Sequence, residues 1–311
     1  MPSALITGAS GFLGRQVLKA FSGSGWEATG TGFSRATGPL RKVDIQDAEA
    51  VAQLFDQVKP QVVVHCAADR QPDSCTKNPE AARQLNVTAT ELLASRAALH
   101  GAFLIYISTD YVFPGVPGQA PYKATDTPNP PNIYGRTKLD GETAALQQPG
   151  GTTVVLRVPV LYGPTEPKEN NAESAVNILM DSLWRSQREP VKMDDWAIRY
   201  PTNVEDVARV CLDIAKLYTA SPHPERLPRV LQFSSEDRMT KYEIVLKFAE
   251  IMGLPADGIV ADKDGGKPGP DGTLRPYDCH LDTSELQALA IDVGTVDFVA
   301  WWRRYVGAYR H

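Results

Sequence analysis

Two short segments carry side chains whose types and spacing suit proton transfer. Ile107-Ser108-Thr109-Asp110-Tyr111 closes an apolar run, and Tyr134-Gly135-Arg136-Thr137-Lys138 opens a stretch of helical character. Tyr134 and Lys138 are four apart, so both project from one face of a helix. A phenol ordinarily titrates near about 10. An ammonium beside it, together with the positive ring of a bound cofactor, favours phenolate and brings that value toward neutrality. Tyr134 then serves as proton donor to a carbonyl receiving hydride, with the Thr109 hydroxyl holding the carbonyl oxygen. A Tyr-x-x-x-Lys spacing alone also suits an amphipathic helix face. The strand ending in Ser-Thr and the glycine-rich turn at the start of the chain narrow the choice.

That turn is where a hydride carrier would sit. Ala4-Leu5-Ile6-Thr7 is apolar, Gly8, Gly11 and Gly14 follow at intervals of three, and Leu13, Val17, Leu18 and Phe21 recur at helical period. The pattern is strand, tight turn, helix. Gly8 permits the turn, Gly11 lets the backbone approach a pyrophosphate, and Gly14 lets the helix pack close to the strand. Backbone N–H groups at the helix start face an anion. An acidic residue about 20 positions further on would hold the ribose 2′-hydroxyl of NAD; this chain has Phe33-Ser34-Arg35 there. A guanidinium fork pairs with phosphate oxygens, so NADP(H) is the expected cofactor, the other reading of Arg35 being a solvated surface side chain. Asp44 either accepts from the adenine amino group or precedes a helix as a cap. His65-Cys66-Ala67-Ala68 ends a buried strand in small residues, over which a dinucleotide can pass or which simply pack tightly, and Arg70 just beyond is in place to reach a phosphate.

The elements that must position these groups alternate. Trp26–Gly32 reads as a second strand, and Asp47 caps a helix carrying Val51, Leu54, Phe55 and Val58 that stops before Pro60. Residues 61–66 form a continuous apolar strand of the kind buried on both faces of a parallel sheet. Asn78-Pro79 opens a long helix closing at Gly101, 103–108 is strand, 134–147 helix and 153–158 strand. This spacing predicts an α/β fold, a doubly wound parallel Rossmann sheet with its crevice at the strands' carboxyl ends. Beyond residue 163 a polar loop, a helix over 174–184, a strand-like start before a helix over 199–217, a strand at 230–234 and a helix opened by the capping box Thr240-Lys241-Tyr242-Glu243 imply a smaller interleaved C-terminal substrate-binding lobe. The expected division is 1–162 for the NADP-binding domain, with returning segments near 199–217 and 230–236, and 163–311 for the lobe. Residues 261–273, rich in Gly, Pro and Asp, read as a mobile loop.

Composition narrows the function classes. A formal charge of −5, from 32 basic and 37 acidic residues among 311, leaves no basic footprint for nucleic acid or a membrane surface. No apolar run reaches the roughly 18 residues of a spanning helix, and the first residues run straight into a strand, so a cytoplasmic location is expected. Cys66, Cys75, Cys211 and Cys279 lie far apart, which predicts free thiols and no metal site. Assembly into a homo-oligomer through helix faces is compatible with the sequence.

With these residues in place the chain resembles the extended short-chain dehydrogenase/reductase family over nearly its whole length. Ser108-Thr109-Asp110-Tyr111-Val112-Phe113 and Tyr134-Gly135-Arg136-Thr137-Lys138 are similar to the dTDP-4-dehydrorhamnose reductase branch, which reduces a 4-keto sugar nucleotide with NAD(P)H. The resemblance implies that Thr109, Tyr134 and Lys138 are catalytic and that Lys138 also holds the nicotinamide ribose. Other stretches, among them 65–73, 101–108, 157–163, 173–176 and 239–243, resemble the atypical members of that branch that serve as regulatory beta subunits of methionine adenosyltransferase. Those subunits bind NADP and dock on the catalytic subunit partly through a C-terminal tail. This closer resemblance implies a dinucleotide surrounded by Ser10, Gly11, Phe12, Leu13, Phe33, Ser34, Arg35, Asp44, Ile45, Cys66, Arg70, Tyr134 and Leu161. Where this chain has Thr109 those subunits have serine, which keeps the hydroxyl; residues 261–273 match poorly. The aromatic and arginine-rich stretch 298–311 fits the same picture: Trp301 and Trp302 are expected on the chain's own lobe, and Tyr309, Arg310 and His311 in a partner. Two functions follow, a regulatory subunit in S-adenosylmethionine synthesis and, as the alternative, an NADPH-dependent reductase of a nucleotide-linked 4-keto-6-deoxy sugar.

Overall fold

The computed structural model describes residues 1–148, 153–167, 170–269 and 272–308. The chain begins with β1 (Ser3–Thr7), α1 (Phe12–Gly23), β2 (Glu27–Gly32), β3 (Arg41–Lys42), α2 (Ala48–Val58) and β4 (Val62–His65). It continues through α3 (Pro72–Lys77), α4 (Pro79–Arg83), α5 (Ala89–Leu99), β5 (Phe103–Thr109), α6 (Ile133–Leu146) and β6 (Thr153–Val158). These strands, with β11 (Val230–Gln232), form one seven-stranded sheet in the order β11-β6-β5-β4-β1-β2-β3. Every pairing in it is parallel, so the fold is the doubly wound α/β sheet expected from the sequence.

Alternate residues of the central strands supply two different cores. Ile6, Val64, Ile105 and Leu156 pack with Val17 and Phe21 of α1 and with Val207, Val210 and Ile214 on one face. Leu5, Val63, Leu104 and Val155 pack with Phe55 and Leu93 on the other. A strand covered on both sides has no polar face, which is why these segments read as unbroken apolar runs.

The remaining elements are β7 (Leu161–Tyr162), α7 (Leu179–Ser186), β8 (Val191–Asp194), β9 (Ile198–Arg199), β10 (Thr202–Asn203), α8 (Val204–Ala220), β12 (Met239–Thr240), α9 (Lys241–Met252), β13 (Ile259–Asp262), α10 (Ser284–Ala288) and α11 (Phe298–Val306). Helix α8 and strand β11 return to the sheet, as do Leu286 and Ile291. The rest gathers around a separate core that includes Leu183, Val191, Val245, Phe248, Phe298 and Trp302. The capping box of α9 forms as expected, with the Thr240 hydroxyl accepting from the Glu243 N–H and the Glu243 carboxylate accepting from the Thr240 N–H.

Several boundaries differ from expectation for local reasons. The second strand starts at Glu27 because Trp26 turns inward, its ring edge-on to Phe21 with centroids 5.2 Å apart. The long helix expected over 78–101 is α4, a π-helical turn over Gln84–Thr88 and α5, with α3 added before it. The extra residue in that turn carries Asn86 inward, a use to which such bulges are often put. The helix expected from 174 begins at Leu179, because the Ser174 hydroxyl takes the N–H groups of Val176 and Asn177 and holds a tight turn before it. Within 261–273, Ala261 and Asp262 complete β13 alongside β8, and residues 270 and 271 lie outside the described residues.

Candidate functional site

The chain runs from β1 outward to β2 and β3, then returns to β4 on the other side of β1. A crevice must open above the carboxyl ends of β1 and β4, where the winding reverses. A cleft of about 740 Å³ occupies that place, between the sheet and the lobe. At its floor Gly8 adopts φ +67°, and a Cβ there would stand 2.7 Å from the Ala67 backbone nitrogen. Gly14 lies against the same turn, its Cβ position 2.2 Å from the Gly8 carbonyl oxygen. Gly11 has an extended backbone and supplies no side chain to cap α1, so the first N–H groups of a 12-residue helix open toward the cleft, the arrangement that holds a phosphate.

All the catalytic and cofactor-binding residues expected from the sequence line this one cleft. Gly8, Ser10, Gly11, Phe12, Leu13 and Gly14 come from the first turn. Phe33, Ser34 and Arg35 follow β2, and Asp44 and Ile45 follow β3. Cys66, Ala67 and Arg70 follow β4, and Thr109, Tyr134, Lys138 and Leu161 complete the wall. Asp44 accepts from the Gln46 N–H at 3.0 Å, and Asp47 is the residue that caps α2. Tyr309, Arg310 and His311 lie outside the described residues. Trp301 and Trp302 sit in the lobe core, Trp301 edge-on to Tyr162 and Trp302 stacked on it, as expected for residues packed on their own lobe.

Tyr134 owes its position to the close approach of α6 to the turn after β5. Asn132 caps that helix, accepting from the Gly135 N–H at 2.9 Å. A Cβ on Gly135 would lie 2.1 Å from the Tyr111 carbonyl oxygen, so only glycine lets the helix start here. From behind, the Asn86 side chain accepts from the Asp69 N–H and donates to the Asp69 carbonyl and the Thr137 hydroxyl, tying the loop after β4 to α6. His65 is clamped between the hydroxyls of Thr7 and Thr90 at 2.7 and 3.0 Å, and burial, with the Lys138 charge, lowers it to about 3, so it stays neutral.

The electrostatics depart from expectation at the phenol. Burial pushes Tyr134 above its ordinary value, and the Thr109 hydroxyl and the Arg70 guanidinium only partly oppose this. Lys138 does not supply the depression expected of it. It is itself drawn down to about 7 by burial, against the pull of the Glu142 carboxylate, and its ammonium donates to the Ile107 carbonyl at 2.7 Å and stands 4.0 Å from the Tyr106 ring centroid. A protonated phenol is the form that can donate to a carbonyl oxygen. Thr109 accepts from the Tyr111 N–H at 3.2 Å and donates to Asp110, whose carboxyl burial raises to about 6.

Some cleft residues escaped sequence reasoning. Arg199 of β9 is buried, with one guanidinium nitrogen lacking a partner among the described residues, and Lys241 and Arg275 share that wall. Nothing in local pattern separates them from surface charges, because they arrive from segments far apart in the chain. Glu173, in a recess beside the cleft, is marked in the sequence only as part of the stretch 173–176. Its buried carboxylate binds Arg15 through two contacts of 2.6 and 3.1 Å and Arg35 at 3.4 Å.

Fold and cleft together define a nucleotide-binding α/β protein of the short-chain dehydrogenase/reductase type, and the chain belongs to the RmlD substrate binding domain family, whose sequence pattern matches residues 2–301. Within it the chain groups with the methionine adenosyltransferase 2 beta subunits: it is 44% identical to that of Rattus norvegicus across 92% of this chain and 82% of that protein. Both levels of the resemblance drawn from the sequence therefore hold. Among solved structures, the dTDP-4-dehydrorhamnose reductase of Clostridium acetobutylicum matches with a TM-score of 0.82 at 24% identity over 98% of each chain. That of Bacillus anthracis, in complex with NADP, matches with a TM-score of 0.79 at 21% identity, also over 98% of each. At those identities the structures speak for the fold.

Proposed function

We propose that this protein is a regulatory beta subunit that assembles with a methionine adenosyltransferase catalytic subunit in the cytoplasm and keeps NADP(H) in its cleft while serving S-adenosylmethionine synthesis. The observation that carries the reading is the 44% identity to the rat beta subunit, sustained over 92% of the chain. The division into a dinucleotide domain, 1–162 with its returning segments, and a lobe, 163–311, belongs to the same reading.

The cleft suits the cofactor. The uncapped start of α1 and residues 8–14 would hold the pyrophosphate, Phe33, Ser34 and Arg35 the 2′-phosphate, and Asp44 and Ile45 the adenine. Cys66, Ala67, Arg70 and Leu161 line the cleft between that end and Tyr134 and Lys138, which would hold the nicotinamide ribose. When bound, the dinucleotide supplies a hydride. Among the described residues no helix is long and apolar enough to cross a membrane.

Size-exclusion chromatography of the mixed proteins tests assembly. Co-elution with the catalytic subunit is expected, and no association at micromolar concentration overturns the reading. Tyr309, Arg310 and His311 are assigned to the partner contact, so deleting residues 309–311 weakens the complex; an unchanged complex removes the tail from the interface. A second reading has its own observation, since Thr109, Tyr134 and Lys138 line one cleft: an NADPH-dependent reductase of a nucleotide-linked 4-keto-6-deoxy sugar. NADPH oxidation with a panel of such sugars, abolished by Tyr134→Phe, favours the enzyme. Tight NADPH binding with no turnover favours the regulatory subunit.

A further inference from the structure

In a recess beside the cleft one carboxylate is shared between two guanidinium groups. Glu173 lies in the 3-10 turn Asn171–Glu173, on the lobe side, and its side chain is 6% exposed. It reaches Arg15 on the first turns of α1, whose Nη2 and Nη1 donate at 2.6 and 3.1 Å, and accepts from the Glu166 N–H at 3.2 Å. The third donor is Nη1 of Arg35 at 3.4 Å, from a side chain that is 61% exposed. Burial pushes the Glu173 carboxyl up, but Arg15, the Glu166 N–H and Arg35 more than offset it and hold the group below the usual carboxylate range, so it is charged at neutral pH. Arg70 lines the same recess.

We propose that Glu173 sets the protein's discrimination between NADPH and NADH, because its carboxylate competes with the 2′-phosphate for Arg35. The inference rests on the reading of Arg35 as the 2′-phosphate partner. A phosphate accepting from this guanidinium arrives next to a like charge already holding it, and affinity is lost to that repulsion. NADH has no 2′-phosphate, so its affinity does not depend on how Arg35 is engaged. Arg15 limits the competition: its two shorter contacts anchor the carboxylate and keep it from closing fully onto Arg35.

Calorimetric titration of NADPH and NADH into the wild-type protein, Glu173→Gln, Arg15→Met, Arg35→Ala and the Glu173→Gln/Arg35→Ala pair tests this, each variant first checked for a wild-type circular dichroism spectrum. Glu173→Gln raises the preference for NADPH about fivefold, the scale of a partly exposed ion pair, with the NADH Kd little changed. The same substitution in the Arg35→Ala background leaves the preference where it was, as required if the carboxylate acts through that guanidinium. Arg15→Met, which leaves Arg35 as the only guanidinium on Glu173, lowers the preference. A preference unchanged or lowered by Glu173→Gln overturns the inference, as does an equal rise in both backgrounds. If Glu173→Gln fails to fold, Arg15→Met decides: a preference unchanged or raised overturns it. An Arg35→Ala variant that keeps the NADPH preference of the same protein with Arg35, in both the wild-type and the Glu173→Gln background, refutes the underlying reading of Arg35 and takes the inference with it. A wild-type preference that Glu173→Gln does not move refutes the inference alone.

Discussion

Lys138 shows how far burial can move a side chain from its behaviour in water. The ammonium is fixed by one carbonyl and one aromatic face, and burial brings it from 10.5 to about 7. A group whose value falls on folding binds fewer protons in the folded chain than in the unfolded one between those two values. Stability therefore rises with pH across that window, with a slope approaching about 1.4 kcal/mol per pH unit from this group. Lys138→Met is expected to be more stable than the wild type at pH 7, and the difference should shrink as pH rises toward about 9, below the range where tyrosine titrates. Denaturation midpoints taken across that range check it; a difference independent of pH shows that the ammonium carries no such penalty. At this scale type and spacing singled out Thr109, Tyr134 and Lys138, and all three line the cleft. The direction of the shift at Tyr134 was not legible, because burial of the phenol depends on how far apart segments close over it.

At the scale of elements, α6 and the π-helical turn act as a pair. Gly135 sets how near the helix comes to the turn after β5, and Asn86 links the loop after β4 to the same helix. Gly135→Ala forces the helix start away from Tyr111; overpacking of this kind costs about 1–3 kcal/mol. A lower melting temperature and weaker NADPH binding are expected together, and wild-type binding in the variant shows that the displacement does not reach Tyr134. The parallel strands were legible because burial on both faces leaves an apolar run with no other explanation. The break in the helix over 78–101 was not: nothing in Gln84-Leu85-Asn86-Val87-Thr88 departs from helix-compatible composition, and the bulge answers a demand made by Asp69 and Thr137. The start of α7 was lost for the opposite reason, a serine whose hydroxyl holds a turn within an apparently helical pattern.

For the whole molecule, the cleft exists only while sheet and lobe face each other, and the lobe is held by aromatic packing at the end of the described chain. Trp302 is completely buried among Tyr162, Phe248, Phe298 and Trp301. Trp302→Ala should cost about 3–5 kcal/mol in chemical denaturation, and a loss well below that places the lobe's stability elsewhere. The interleaving of the C-terminal segment was legible as a change of rhythm after residue 163. The wall formed by Arg199, Lys241 and Arg275 was not, because no spacing rule relates residues brought together from a strand end, a helix start and a loop.

Strand β1 precedes the other strands of the sheet in the chain and lies in its middle, between β2 and β4. As the chain emerges from the ribosome, β1 can pair with β2 at once, but its other edge stays open until residues 62–65 have been synthesised, and β6 waits for residues 230–232. Exposed apolar strand edges invite pairing with other chains. Newly made protein therefore passes through a period of vulnerability to aggregation that ends only when residues 230–232 are in place, and slowing translation between residues 158 and 232 should lengthen it.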